Sequence, residues 1–222
     1  MTLLPPDSSP QTADAATPAF DVRRRRAIAI GAILIGAGCI GATLRVERDS
    51  AAFYVAGYAL AAVWIVAAAV SGPIRWKGPV QPLGLELLVG TGVGVAMFGV
   101  FVAADEIGRH ISFLAGPIVN LLAKADSGAV AAVLALALVN GVAEELFFRG
   151  ALTEAIGGSR ALVISTIVYI VVTAVAGNTA LTLAAVVMGS VFAVVRGWTG
   201  GLMAPIVTHI VWSTLVILAL PR

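Results

Sequence analysis

Long runs of uncharged apolar residues limit the folds open to this chain more than any other feature. Crossing the hydrocarbon core of a bilayer takes about 20 residues of helix. Stretches of that order lie at about 27–44, 51–70, 85–103, 129–148, 161–176, 180–195 and 202–220. They are continuously apolar, without the period-two alternation of a lipid-facing strand, so helices are expected and a barrel is not. Composition agrees, with 59% of the 222 residues hydrophobic and 12% charged, against about 45–50% and 25% in a soluble domain. The expected fold is all-α, a polytopic membrane bundle of about seven helices (six to eight). Cys39 is the single cysteine, which excludes an internal disulfide framework and a cysteine-rich metal site.

Residues 1–22 are rich in Pro, Ser, Thr and Ala and are expected to form a disordered tail, with 23–222 a single transmembrane domain. The piece ISFLAGPIVNLLA, residues 111–123, is too short for a span and contains Pro117, so a re-entrant or interfacial segment is expected there. Arg23 to Arg26 directly precede the first apolar run, and basic residues in that position hold their side of the membrane in the cytoplasm. With the amino terminus inside, the cytoplasmic segments carry Arg23, Arg24, Arg25, Arg26, Arg75, Lys77, Arg149, Arg160 and Arg196. The outer ones carry Arg45, Arg48, Arg109, Lys124 and Arg222. This bias predicts a cytoplasmic amino terminus, and the expected location is the plasma (cell inner) membrane. The basic cluster is a boundary signal, not a nucleic-acid site.

The same topology sets depths. The run at 129–148 enters from outside, which puts Glu144, Glu145 and Arg149 near its cytoplasmic end. The run at 202–220 goes the other way, with His209 about seven residues, or roughly 10 Å, below the same surface. Glu145 and Arg149 are spaced i,i+4 and can pair on one helical face. Asn140 and Glu144 share another face about 100° away, where Asn140 could orient the carboxylate. One acid then has a structural partner and the other faces the bundle. Ionisable groups within a membrane are functional candidates, and an unpaired carboxylate in a dry pocket suits general-base work.

Glu144-Glu145-Leu146-Phe147-Phe148-Arg149-Gly150 resembles the EExxxR motif of the CPBP family, the CAAX proteases and bacteriocin-processing enzymes also called the abortive-infection family. The ending GWTGGLMAPIVTHIVWSTLVIL is similar to that family's last motif, with His209 at the His position and Ser213 where Asn is usual. The resemblance covers about 129–220, the family-like catalytic core. It implies a helical bundle that hydrolyses a peptide bond of a membrane-associated peptide or protein with a Glu-activated water. On that reading Glu144 is the general base, Glu145 and Arg149 are mainly architectural, and His209 with Ser213 polarises the carbonyl and holds the oxyanion. The family's intermediate FxxxH motif aligns with Tyr169 to Thr173, where Thr replaces the His. The other histidine, His110, falls in an outer loop.

Zinc sites take about three His, Cys or carboxylate ligands plus an open position. Glu144, Glu145 and His209 are nearly all that this chain offers at that depth, so zinc is poorly supported and no cofactor is expected. Three functional classes stay open: a glutamate-dependent intramembrane endopeptidase, a non-catalytic relative that binds a membrane partner through the same bundle, and a proton-coupled transporter. The expected partners are the lipid bilayer and a membrane-bound peptide or protein. Nothing in the sequence fixes the oligomeric state.

Overall fold

The structure, a computed structural model, describes residues 19–43, 45–47, 50–76, 82–125 and 130–220. Among the described residues all regular structure is helical, in eight helices: α1 Ala19–Thr43, α2 Ala51–Ser71, α3 Leu83–Arg109, α4 Ser112–Ala125, α5 Val130–Ile156, α6 Ala161–Ala174, α7 Thr179–Thr199 and α8 Met203–Ala219. Five are long and apolar enough to cross a membrane: Val22–Thr43 within α1, then α2, α3, α5 and α7. The shorter α6 and α8 are also apolar. At 1.5 Å per residue they reach about 21 Å and 26 Å, less than the roughly 30 Å of hydrocarbon. The seven expected runs are therefore all helical, and two of them are shorter than full spans.

Local signals explain the helix limits. Ser50 caps α2 by accepting a hydrogen bond from Phe53 N–H at 3.2 Å, and Asn178 caps α7 by accepting from Leu181 N–H at 2.9 Å. Gly200 ends α7 in the left-handed conformation at φ +74°, where a side chain would be strained. The segment expected to be re-entrant or interfacial is a helix, α4. It carries Pro117 inside and packs against α3 and α7, with the Pro117 carbonyl accepting from Asn178 Nδ2 at 3.1 Å. Residues 1–18 of the expected tail lie outside the described residues. Helix α1 begins at Ala19, so the expected boundary at 22 falls inside a helix. Arg48, Lys77, Arg222 and the start of the run expected at 129 also lie outside the described residues.

One end of the bundle is tied together by arginines. Arg24 and Arg25 donate to the carbonyls of Val70 and Pro73 at 3.2 and 3.3 Å, and Arg26 donates to Ala155 O at 3.1 Å. Cations are thus placed where α2 and α5 present their unsatisfied carbonyls and negative dipole ends. The start of α1 and the ends of α2 and α5 therefore share one end, as an alternating topology requires.

The core under this end is aromatic. Trp64 of α2 is fully buried and stacks on Phe147 at 4.6 Å between centroids, with Phe148 at 5.1 Å. Helices α3 and α8 run side by side through Gly90 and Gly94, a small-xxx-small pair of the kind that lets membrane helices approach closely. A Cβ on Gly94 would lie 2.8 Å from Val211 Cβ and 3.0 Å from Thr208 O, next to His209, whereas one on Gly92 would meet nothing within 4 Å. Overpacking of this kind costs about 1–3 kcal/mol. Gly94→Ala is accordingly expected to lower the thermal midpoint of the purified protein while Gly92→Ala does not. Equal midpoints for the two variants would contradict this packing.

Candidate functional site

Helix α5 changes its winding where the acids begin. From Val130 to Glu144 it is α-helical, and over Glu145–Leu152 it is π-helical before a last α-turn to Ile156. Wider turns leave carbonyls displaced from their usual partners, and here side chains from elsewhere satisfy them. Phe148 O accepts from Thr153 Oγ1 at 2.8 Å and from the Ser165 hydroxyl of α6. Arg149 O accepts from Arg196 Nε of α7 at 3.3 Å.

The π-turn separates the two acids. Glu145 is completely buried and pairs with Arg149, Nη1 to Oε1 at 3.1 Å, as their spacing suggests. Arg149 is held from two further directions. Its Nη2 donates to Gly189 O at 3.0 Å, and its guanidinium lies over the rings of Tyr169 and Phe192 at 4.7 and 5.3 Å. Such a pair is costly to bury unless its remaining donors are used, and this one is well supplied.

His209 of α8 sits against the same acid. Its Nδ1 lies 3.4 Å from Glu145 Oε1, and Phe192 packs on its ring at 4.8 Å. Glu145 is thus more than the partner of Arg149, because it also fixes which edge of His209 faces away. The close approach depends on Gly141, one turn before Glu145, where a Cβ would lie 3.0–3.2 Å from the imidazole.

Glu144 points elsewhere. It is partly exposed to a cavity of about 390 Å³ whose inner end is formed by Asn140, Gly141, Glu144, Tyr169, Thr173, His209 and Ser213. Among the described residues no other acid lines that cavity. From there it runs past Ala184, Trp212 and Val216 to Ile40, Leu122, Leu181 and Leu220. Thr43 of α1 and Leu181 near the start of α7 mark the end of the bundle opposite the arginines.

One expectation is corrected here. Asn140 does not orient Glu144, because its amide donates to Gly57 O and Leu136 O at 3.2 and 3.0 Å, which ties α5 to α2. Glu144 instead shares the cavity wall with Tyr169, so the second motif reaches the acid's surroundings through its first residue. Thr173, where the family has His, is buried on the cavity wall and donates its hydroxyl to Tyr169 O at 2.9 Å within its own helix. Ser213 is buried one turn beyond His209 and faces the same space. His110 is exposed at the end of α3 beside Glu106, away from these groups.

The donor set does not suit zinc. Among the described residues no three His, Cys, Asp or Glu side chains come together as ligands. Glu145 Oε1 is engaged by Arg149 and His209, which leaves Glu144 and one imidazole nitrogen, fewer than the three protein ligands of a catalytic zinc site.

Several groups that shape this site carry no signal in the sequence. Phe192, Gly189 and Ser165 read as ordinary members of apolar helices, and only the packing of α6 and α7 on the π-turn brings them in. No curated protein and no solved structure matches the chain. The model of the family described as type II CAAX prenyl endopeptidase Rce1-like matches residues 126–215. That stretch contains every polar side chain at the inner end of the cavity, and over it this integral membrane protein is similar to the Rce1-like membrane endopeptidases.

Proposed function

We propose that the protein is an intramembrane endopeptidase in which Glu144 activates water to hydrolyse a peptide bond of a membrane-bound peptide or protein. The observation that carries this reading is a lone carboxylate at the inner end of an apolar cavity, facing the space lined by His209 and Ser213. A water held by Glu144 gives it a proton and attacks the scissile carbonyl carbon. The tetrahedral oxygen is received by His209 and Ser213, and Glu144 returns the proton to the departing amine as the C–N bond breaks. Donors of this kind contribute a few kcal/mol each where water is excluded. Nδ1 of His209 faces Glu145 at 3.4 Å, which leaves its Nε2 edge for the substrate oxygen.

Tyr169 lines the same cavity as Glu144 and brings a hydroxyl to the site. Thr173 is the open position. A histidine there would share the proton of the water, so Thr173→His is expected to raise the rate by about 10²–10⁴-fold. His209→Ala should abolish hydrolysis, and a strong chelator should leave it unchanged. Peptide turnover by the reconstituted protein, followed by mass spectrometry, checks all three. A folded protein that is inert with and without the added histidine, yet binds peptide in the cavity, would favour the non-catalytic relative. The occupied Thr173 hydroxyl supports that second reading.

The arginine end is proposed to face the cytoplasm from the plasma membrane, supported by the clustering of Arg24, Arg25, Arg26 and Arg75 there. An impermeant thiol reagent should then reach a cysteine replacing Glu154 only in inside-out vesicles. Labelling in right-side-out vesicles would invert the orientation.

A further inference from the structure

A second cavity, of about 170 Å³, adjoins the mouth of the one at Glu144, and the two share Phe101, Leu122, Ala184 and Leu220 as wall residues. It lies between α3, α4 and α7. Its frame is fixed on both sides: Ile118 of α4 seats against Gly108 of α3, and Asn178 holds Pro117 O at the start of α7. Val100 and Leu183 of its wall are also exposed on the outside of the bundle, so a chain lying in the membrane can reach it.

Apart from Asp105, every residue on that wall is Ala, Val, Leu, Ile or Phe. Asp105 is 9% exposed. Arg109 donates to its Oδ2 through Nε and Nη2 at 3.0 and 2.8 Å, which offsets the charge. Oδ1 is buried and has no hydrogen-bond partner among the described residues. A buried acceptor without a donor is costly. With the charge already offset, the missing group is a single O–H or N–H donor and not a second cation. A dry apolar cavity of about 150 Å³ accepts a benzene ring. An aromatic ring that ends in a hydroxyl therefore suits both the volume and the acceptor.

We propose that this cavity is a specificity pocket for a tyrosine side chain of the membrane-bound substrate, with the ring among the apolar residues and the hydroxyl donating to Asp105 Oδ1. The assignment rests on reading the Glu144 cavity as the site of cleavage. Depth then sets the register. Gly94 of α3 abuts Thr208, beside His209, and Asp105 lies 11 residues further along α3, roughly 16 Å. An extended chain advances about 3.3 Å per residue, so the tyrosine lies about five residues from the scissile bond. Phenylalanine fills the same volume and leaves Oδ1 unpaired, the kind of difference by which a hydrogen-bonding pocket rejects an analogue.

The test uses the purified full chain in detergent and fluorescein-labelled membrane peptides of Leu and Ala, each with one Tyr at a different position, beside matched Phe peptides. Affinity is read by fluorescence anisotropy on Glu144→Gln, which spares the probe from cleavage, and cleavage is read by mass spectrometry on the wild type. At one register the Tyr peptide is expected to bind about 10- to 100-fold more tightly than its Phe counterpart. Asp105→Leu should erase that preference and keep the Phe affinity, while Asp105→Asn, whose amide oxygen still accepts, should retain part of it. Should Asp105→Leu fail to fold, Ala180→Trp, which fills the pocket from α7, should erase the preference instead. The wild type should cut the preferred peptide about five residues from its Tyr. Tyr-selective, Asp105-dependent binding without any cleavage keeps the pocket and removes the protease reading. Cleavage with equal affinity for Tyr and Phe at every register, or a preference undiminished in Asp105→Leu, would overturn the proposal and leave the reading of Glu144 standing.

Discussion

Glu145→Gln is expected to destabilise the protein by about 3–5 kcal/mol, the cost of removing one partner from a buried ion pair. The amide can still accept from His209 or Arg149, but it carries no charge, and Arg149 is only 1% exposed. Gly189 O and the faces of Tyr169 and Phe192 would then be the remaining company of a buried guanidinium. Thermal unfolding in detergent should show a midpoint lowered on the order of 10 °C. The second variant of the cycle separates charge from shape. Glu145→Gln/Arg149→Gln leaves no unpaired charge, so it should recover much of the loss. A single variant that melts with the wild type would mean that Arg149 is satisfied without Glu145.

Much of this arrangement is legible because it depends on neighbours along the chain. Apolar runs long enough for a bilayer mark the helices, and the Glu145–Arg149 spacing marks a pair that survives even the wider winding of a π-turn. The turn itself is not legible. It is satisfied by Ser165 and Arg196, which lie on other helices, and no local periodicity in ELFFRGAL announces them. Asn140 shows the same limit. Its i,i+4 relation to Glu144 suggested a hydrogen bond, but Gly57 of α2 offers a carbonyl that only the packed bundle supplies. Depth was legible and direction was not. Charge counting put His209 level with the acids, yet the neighbour at 3.4 Å is Glu145, because the π-turn carries Glu145 toward α8 while Glu144 faces the cavity.

The central claim is that Glu144 is the base. Glu144→Gln should leave expression and thermal stability close to wild type, because the group lines a cavity, pairs with no cation among the described residues and is replaced by an isostere. Its activity should fall by at least the roughly 10²–10⁴-fold that a positioned general base contributes. The contrast with Glu145→Gln is the sharpest consequence of the geometry: one acid lost for rate alone, its neighbour lost for stability. The most direct measurement is the mass-spectrometric detection of peptide fragments after a membrane peptide is incubated with reconstituted wild type or Glu144→Gln. Two fragments whose masses sum to the substrate plus one water, formed by the wild type and absent with a folded Glu144→Gln, are the predicted result. The same fragments at an unchanged rate from Glu144→Gln would contradict it.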